Sequence, residues 1–170
     1  MNKDFFRNAM NSGLIIGGVV IIYYIFLYFY GVNIYEPQKE SNNIGKIDYI
    51  IIAMGVFFAI KTYRDRELDG LISYKESLFF GTVTGFFASI SITLYVVVFF
   101  KFISPETFQG MYIIAEEQIV NQSITQAEKD TIMNMSKKLI FPAIIMATIF
   151  GNTFIAFLYS VFVSFFMRKK

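Results

Sequence analysis

The chain has 170 residues, a net charge of +2, a mean hydropathy of +0.53 and 55% hydrophobic residues. Only 16% of the residues are charged, against about 25% in soluble domains, so the composition indicates a single integral membrane domain over residues 1–170. The absence of Cys and His excludes disulfides, nucleophilic cysteines and the usual zinc and haem sites, and no basic stripe suggests a nucleic-acid partner.

Four apolar segments predict transmembrane helices at about 12–30, 47–63, 77–100 and 139–167. The first and third have the length of about 20 residues that a bilayer requires, and the fourth is long enough to tilt. The second lies between Asp48 and Lys61, and it spans if Lys61 snorkels to one surface while Asp48 sits at the other. The sequence therefore predicts an all-α bundle of four transmembrane helices.

Basic residues outside the segments predict the orientation of this bundle. Lys and Arg are more numerous before the first segment, between the second and third, and after the last than on the opposite side, which includes Lys39 and Lys46. Because cytoplasmic loops are enriched in Lys and Arg, both termini should be cytoplasmic.

The polar stretch 101–138 should then be extracytoplasmic and form a helical hairpin between the third and fourth spans. Ser104 followed by Pro105 is typical of a helix start. Thr125 and Glu128 have the spacing of a capping box for a second helix, and Pro142 should kink or break the path into the last span. We expect this hairpin to lie on the membrane surface or to cap the bundle, with a ligand-binding lid as the alternative.

Small residues recur at every fourth position of the predicted spans. Such residues let helices approach closely in lipid, either inside the bundle or at an interface with another protein. The candidates for helix packing are Gly13, Gly17, Gly55, Gly81, Gly85, Ala147 and Gly151.

Three polar residues fall deep in the predicted spans, namely Tyr23, Tyr24 and Asn152. An unpaired polar group is unfavourable in hydrocarbon, so we expect them to face inward, with Asn152 bonded to a tyrosine or serine of another helix. A ligand contact at Asn152 is the alternative. No Asp, Glu, Lys or Arg lies near the middle of a span, which counts against proton-coupled transport.

The stretch DRELDGLISYKE, residues 65–76, resembles the calcium loop of an EF-hand. Asp65, Glu67, Asp69 and Glu76 fall at ligand positions, with Gly70 at the sharp turn. The competing interpretation is a turn between two membrane helices, in which Ser73 and Glu76 form a capping box for the third helix. We favour the turn and treat no metal or other cofactor as required.

The turn also contributes to a resemblance. Glycines near the start of the first segment, an Arg64-to-Tyr74 turn containing GLISY, Gly81, and a polar insertion before a last helix rich in small residues together resemble the domain-of-unknown-function family 4199. The resemblance covers nearly the whole chain and implies a small four-helix protein of the bacterial inner membrane. It implies no reaction, so no catalytic residues are carried over.

These observations favour a non-enzymatic membrane protein that assembles, anchors or assists another protein, or that associates with copies of itself, in the bilayer. The first alternative is passive or facilitated passage of a small neutral or lipidic molecule along Asn152, Thr148 and the tyrosines. The second alternative is a metal-dependent lipid-modifying enzyme, because Asp65 and Asp69 resemble a fragment of the metal-binding motif of CDP-alcohol phosphotransferases.

Overall fold

The structure, a computed structural model, describes residues 3–35, 47–121 and 123–167. These residues form α1 (Lys3–Phe29), α2 (Ile47–Glu67), α3 (Tyr74–Val98), α4 (Pro105–Val120) and α5 (Gln126–Met167), with a π-helical segment, Phe99–Ile103, between α3 and α4. The predicted all-α architecture is confirmed.

Within the described ranges, α1, α3 and α5 are long and apolar enough to cross a membrane, as expected of a membrane protein. The helix α2 is not among them. It has 21 residues, but Asp48 lies in its first turn and charged residues from Lys61 onward occupy its last turns. Membrane crossing is thus supported for three of the four predicted spans, and it stays a prediction for α2.

The helix α2 runs antiparallel to α1. At one end of the pair, the rings of Phe5 and Tyr63 are 5.7 Å apart between centroids. At the other end, the Tyr24 hydroxyl donates to the Asp48 carboxylate at 2.6 Å. The helix α2 therefore extends along α1 between these two ends of the bundle.

The helix α3 packs against α1 on one side and against α5 on the other. A Cβ atom on Gly13 of α1 would lie 2.5 Å from the Thr84 carbonyl oxygen, and one on Gly85 would overlap the side chain of Ala156 in α5. Both contacts require close backbone approach, so small residues determine how near these helices lie.

The chain leaves α3 through the π-helical segment. This segment buries Phe99 and Phe100 at the end of the bundle where Tyr24 meets Asp48, which we call the aromatic end. Ser104 precedes α4, and Pro105 lies in its first turn, which confirms the predicted helix start. The hydroxyl of Ser104 bonds to Glu106 and, at 2.7 Å, to Thr107. The Glu106 carboxylate lies outside the predicted spans, and the bond from Ser104 lowers its pKa.

The helix α5 differs from the prediction. Thr125 and Glu128 do cap a helix, with the Glu128 carboxylate accepting from the Thr125 amide at 2.9 Å. That helix then continues to Met167 with Pro142 in its interior. A break at Pro142 is therefore contradicted, whereas the kink that was the other expectation stays a prediction.

The helix α4 contacts α5 in the turn before the proline. Pro142 cannot donate to the carbonyl of Lys138. In the same turn, the Tyr112 hydroxyl of α4 donates to the Lys137 carbonyl at 2.9 Å, and Glu116 pairs with the Lys137 ammonium at 3.0 Å. The helix α4 thus braces α5 where its own hydrogen bonding is weakest.

Several residues behind the predicted orientation, namely Lys39, Lys46, Arg168, Lys169 and Lys170, lie outside the described residues.

Candidate functional site

The elbow, residues 65–76, joins α2 to α3 by a sharp reversal. Asp69 and Gly70 have φ angles of 49° and 81°, in the left-handed region that glycine adopts without strain. The Gly70 amide donates to the Arg64 carbonyl at 2.9 Å. The Ser73 hydroxyl accepts from the Glu76 amide at 3.2 Å, which confirms Ser73 as the cap of α3.

The elbow does not gather its carboxylates as a calcium loop would. Asp65 instead accepts from both Nε and Nη2 of Arg64 at 2.7 Å. Over the part of the chain that the structure describes, no three Asp or Glu side chains lie close enough together to hold a metal ion. The geometry therefore favours the turn between helices over the calcium hypothesis for Asp65, Glu67, Asp69 and Glu76.

Two of these carboxylates line a cavity beside the elbow instead. Glu67 and Glu76 share it with Asp4 of α1, and its volume is about 450 Å³. Its walls include Phe5 and Phe79, whose stacked rings are 5.4 Å apart. Lys75 also lines the cavity, but three carboxylates and the aromatic rings still suit a cationic group better than an anionic one.

Five of the predicted packing residues lie on α1, α2 and α3, and they pack inside the bundle. A Cβ atom on Gly17 would lie 2.6 Å from the Ser91 side chain, and one on Gly55 would lie 2.6 Å from Ile16. On Gly81 it would overlap Ser160. Together with Gly13 and Gly85, these glycines face a neighbouring helix.

The other two predicted packing residues face away from the bundle. Ala147 is exposed, and a Cβ atom on Gly151 would meet no atom of the described residues within 4 Å. A second stripe of small residues on α5, namely Ala156, Ser160 and Ser164, is buried instead. Ser164 donates to Ser77 of α3 at 2.8 Å, and nearby Thr153 bonds to Ser89 of α3 at 3.1 Å. One helix therefore carries two stripes of small residues, and only one of them packs against α3.

Asp48 is a polar residue whose partners sequence reasoning did not find. Its position at a membrane surface stays a prediction, and its side chain is only 6% exposed. One carboxylate oxygen accepts from Tyr24 at 2.6 Å, and the other accepts from the amide of Tyr49 at 2.7 Å. The sequence does contain a signal for this contact. Asp48 falls in the first turn of one predicted helix, opposite the tyrosines that are expected to be buried in another.

Other tyrosines surround this pair. The rings of Tyr23, Tyr35 and Tyr95 each lie 6.1 Å from that of Tyr24 between centroids. Tyr35 follows α1 in a turn, and burial is the main cause that raises its pKa. The result is an aromatic end of the bundle in which α1, α2 and α3 meet around one carboxylate.

Asn152 has a different partner from the one predicted. Its amide donates to the Thr148 carbonyl of its own helix at 3.0 Å, rather than to a tyrosine or serine of another helix. The prediction of a bond between helices was wrong, because an amide side chain can reach the carbonyl one turn earlier. Tyr24 and Asn152 thus have separate partners, on α2 and α5.

A comparison with known families places most of the chain in one group. The family model described as "Protein of unknown function (DUF4199)" matches residues 11–169. No curated protein and no solved structure matches the chain.

Proposed function

The chain belongs to the DUF4199 family of proteins of unknown function, and from that premise we propose that it is a non-enzymatic assembly protein of the bacterial inner membrane. In this proposal α2 is the fourth membrane span, and both termini are cytoplasmic. The helix α4 and the first half of α5 form an extracytoplasmic hairpin. A contact with a second transmembrane helix, on the outer face of α5, holds another membrane protein or a second copy in place.

The length of α5 supports the hairpin. Its 42 residues rise about 63 Å at 1.5 Å per residue, roughly twice the thickness of a hydrocarbon core. About half of the helix must therefore project from the bilayer if it crosses once. The projecting half is the one beside α4, where the rings of Phe108 and Phe141 lie 5.4 Å apart.

The observation that carries the proposal is the outer face of α5, which we define as Ala143, Ala147 and Gly151. All three are exposed at every fourth position. Only 6% of the most apolar stretch of α5 is buried, against 44% for α3. Small residues in lipid favour helix association through close packing, so this face suits a partner helix.

A photo-crosslinking experiment tests the contact. A photoreactive phenylalanine analogue replaces Phe150, which is 64% exposed next to Gly151, or Phe26 of α1, which is 55% exposed, as the control. At native expression, irradiation should give a protein adduct from position 150 and not from position 26. Mass spectrometry of the adduct then identifies the partner, and a product of twice the chain mass identifies a second copy.

A second variant separates a packed interface from chance proximity. Gly151→Leu adds bulk where no atom of the bundle lies within 4 Å, so the thermal midpoint should not fall. It should nevertheless reduce the adduct from position 150 at least about tenfold, because a leucine separates the two backbones. Equal adducts from both positions, or a yield unaffected by Gly151→Leu, would contradict the proposal.

A further inference from the structure

A groove of about 530 Å³ lies between α1 and α2, and no residue of α5 lines it. Ile16, Gly55 and Ala59 lie along it, and Ile16 and Ala59 are buried. Its rim includes Ile15 and Phe58, which are 67% and 55% exposed. The volume is within the range of roughly 300–1,000 Å³ that ligand sites occupy.

The polarity of the groove changes along its length. Its two hydroxyl residues, Ser12 and Thr62, both lie toward the elbow, and the residues that line the rest are apolar. Ser12 is also the residue at which the predicted first span begins. The groove therefore has a polar mouth near the expected membrane surface and an apolar body at the depth of the hydrocarbon.

A cation lies beside this mouth. Lys61 does not line the groove itself, but it follows Phe58 by three residues and Met54 by seven, so helical spacing places it next to the face of α2 that does. Lys61 is exposed and has no ion pair with any residue in the described ranges. Asp65, the next acidic residue on this face, is paired with Arg64 at 2.7 Å. The local charge therefore favours an anion.

We propose that this groove is a binding site for an anionic phospholipid of the bilayer. One acyl chain lies along Ile16, Gly55 and Ala59, and the phosphate lies at Lys61 with the hydroxyls of Ser12 and Thr62. The site goes beyond the assembly contact of α5 and uses none of its residues.

Tryptophan fluorescence tests the site, since the chain contains no tryptophan. Phe58→Trp places a reporter on the groove rim. Phe86→Trp is the matched control, because Phe86 of α3 is 43% exposed, adjoins the buried Gly85 and does not line the groove. The full-length variants are reconstituted in vesicles of a zwitterionic phospholipid that contain a small fraction of phosphatidylglycerol brominated on its acyl chains.

Brominated phosphatidylglycerol should quench the groove reporter of Phe58→Trp at a mole fraction at least about five times lower than it quenches the control reporter of Phe86→Trp. Brominated phosphatidylethanolamine with the same chains should quench both reporters to similar extents. In the Phe58→Trp background, Lys61→Gln should remove the preference for phosphatidylglycerol, whereas Arg66→Gln, at an exposed position of the elbow, should retain it.

Equal quenching curves for the two reporters would overturn the proposal. It would also be wrong if the preference survived Lys61→Gln, or if brominated lipid quenched the groove reporter less than the control reporter because a protein segment occupies the groove. Because the reconstituted protein contains no partner, this result is independent of whether α5 binds one.

Discussion

The hydrogen bond between Tyr24 and Asp48 links two helices through buried polar groups. It joins α1 to α2 at 2.6 Å, and Asp48 also accepts from the backbone of its own helix. Asp48 lies in the first turn of α2, where the helix dipole favours a negative group. The pair therefore fixes both the end of α2 and its register against α1.

Loss of this hydrogen bond should destabilise the protein. Tyr24→Phe keeps the ring and removes the donor, so we expect the free energy of unfolding to fall by about 1–2 kcal/mol. Tyr30→Phe, at a residue that is 72% exposed, should change it by less than about 0.5 kcal/mol. Unfolding in mixed detergent micelles measures both values.

A double-mutant cycle assigns the effect to the pair. Asp48→Ala should make Tyr24→Phe nearly neutral, since the acceptor is already gone. If Tyr24→Phe costs the same with and without Asp48, the tyrosine acts through packing alone, and the link between the helices is not energetically important.

At the scale of the helices, glycines matter according to the face on which they lie. A Cβ atom on Gly85 would overlap Ala156, whereas one on Gly18 would meet no atom within 4 Å. Both residues are helical, so local conformation does not distinguish them. The difference arises entirely from the distance to the neighbouring helix.

Alanine substitutions at these two positions should therefore have opposite signs. Gly85→Ala should destabilise the bundle by about 1–3 kcal/mol through overpacking between α3 and α5. Gly18→Ala should be neutral or stabilise by up to about 1 kcal/mol, because alanine restricts the unfolded chain and favours helix. Thermal unfolding of the two variants in the same detergent measures the contrast, and equal shifts would contradict the packing shown here.

At the scale of the whole molecule, the elbow and α4 lie at opposite ends of the bundle. The elbow adjoins the end where Phe5 meets Tyr63. The start of α4 adjoins the aromatic end. There the side-chain amide of Asn33, a residue just after α1, donates to the hydroxyl of Thr107 at 2.7 Å. If the helices cross the membrane, these two regions face different compartments.

Cysteine labelling tests this topology in a chain that has no native cysteine. Gln109→Cys in α4 and Arg66→Cys in the elbow both change exposed residues. In intact bacterial cells, a membrane-impermeant maleimide should label the Gln109→Cys variant directly and the Arg66→Cys variant only after permeabilisation. The reverse pattern would invert the proposed orientation, and labelling of both variants in intact cells would rule out a membrane between the two positions.

Much of the fold follows from the sequence, because its determinants are local. Apolar runs of sufficient length predict α1, α3 and α5, and the cap residues Ser73, Ser104 and Thr125 mark helix starts. Each of these signals acts within one or two turns of the chain. A single sequence therefore contains them in full.

The tertiary structure decided the features that depend on contacts with a neighbouring helix. Periodicity shows that Ala147 and Gly151 share one side of α5. Only the position of α3 shows that a neighbouring side of α5, and not this one, packs inward. Likewise, only the structure shows that α5 continues through Pro142 and that α4 packs beside that turn. Asp48 is buried because Tyr24 supplies a donor from another helix. Sequence spacing determines which residues share a face, whereas contacts between distant segments determine what that face meets.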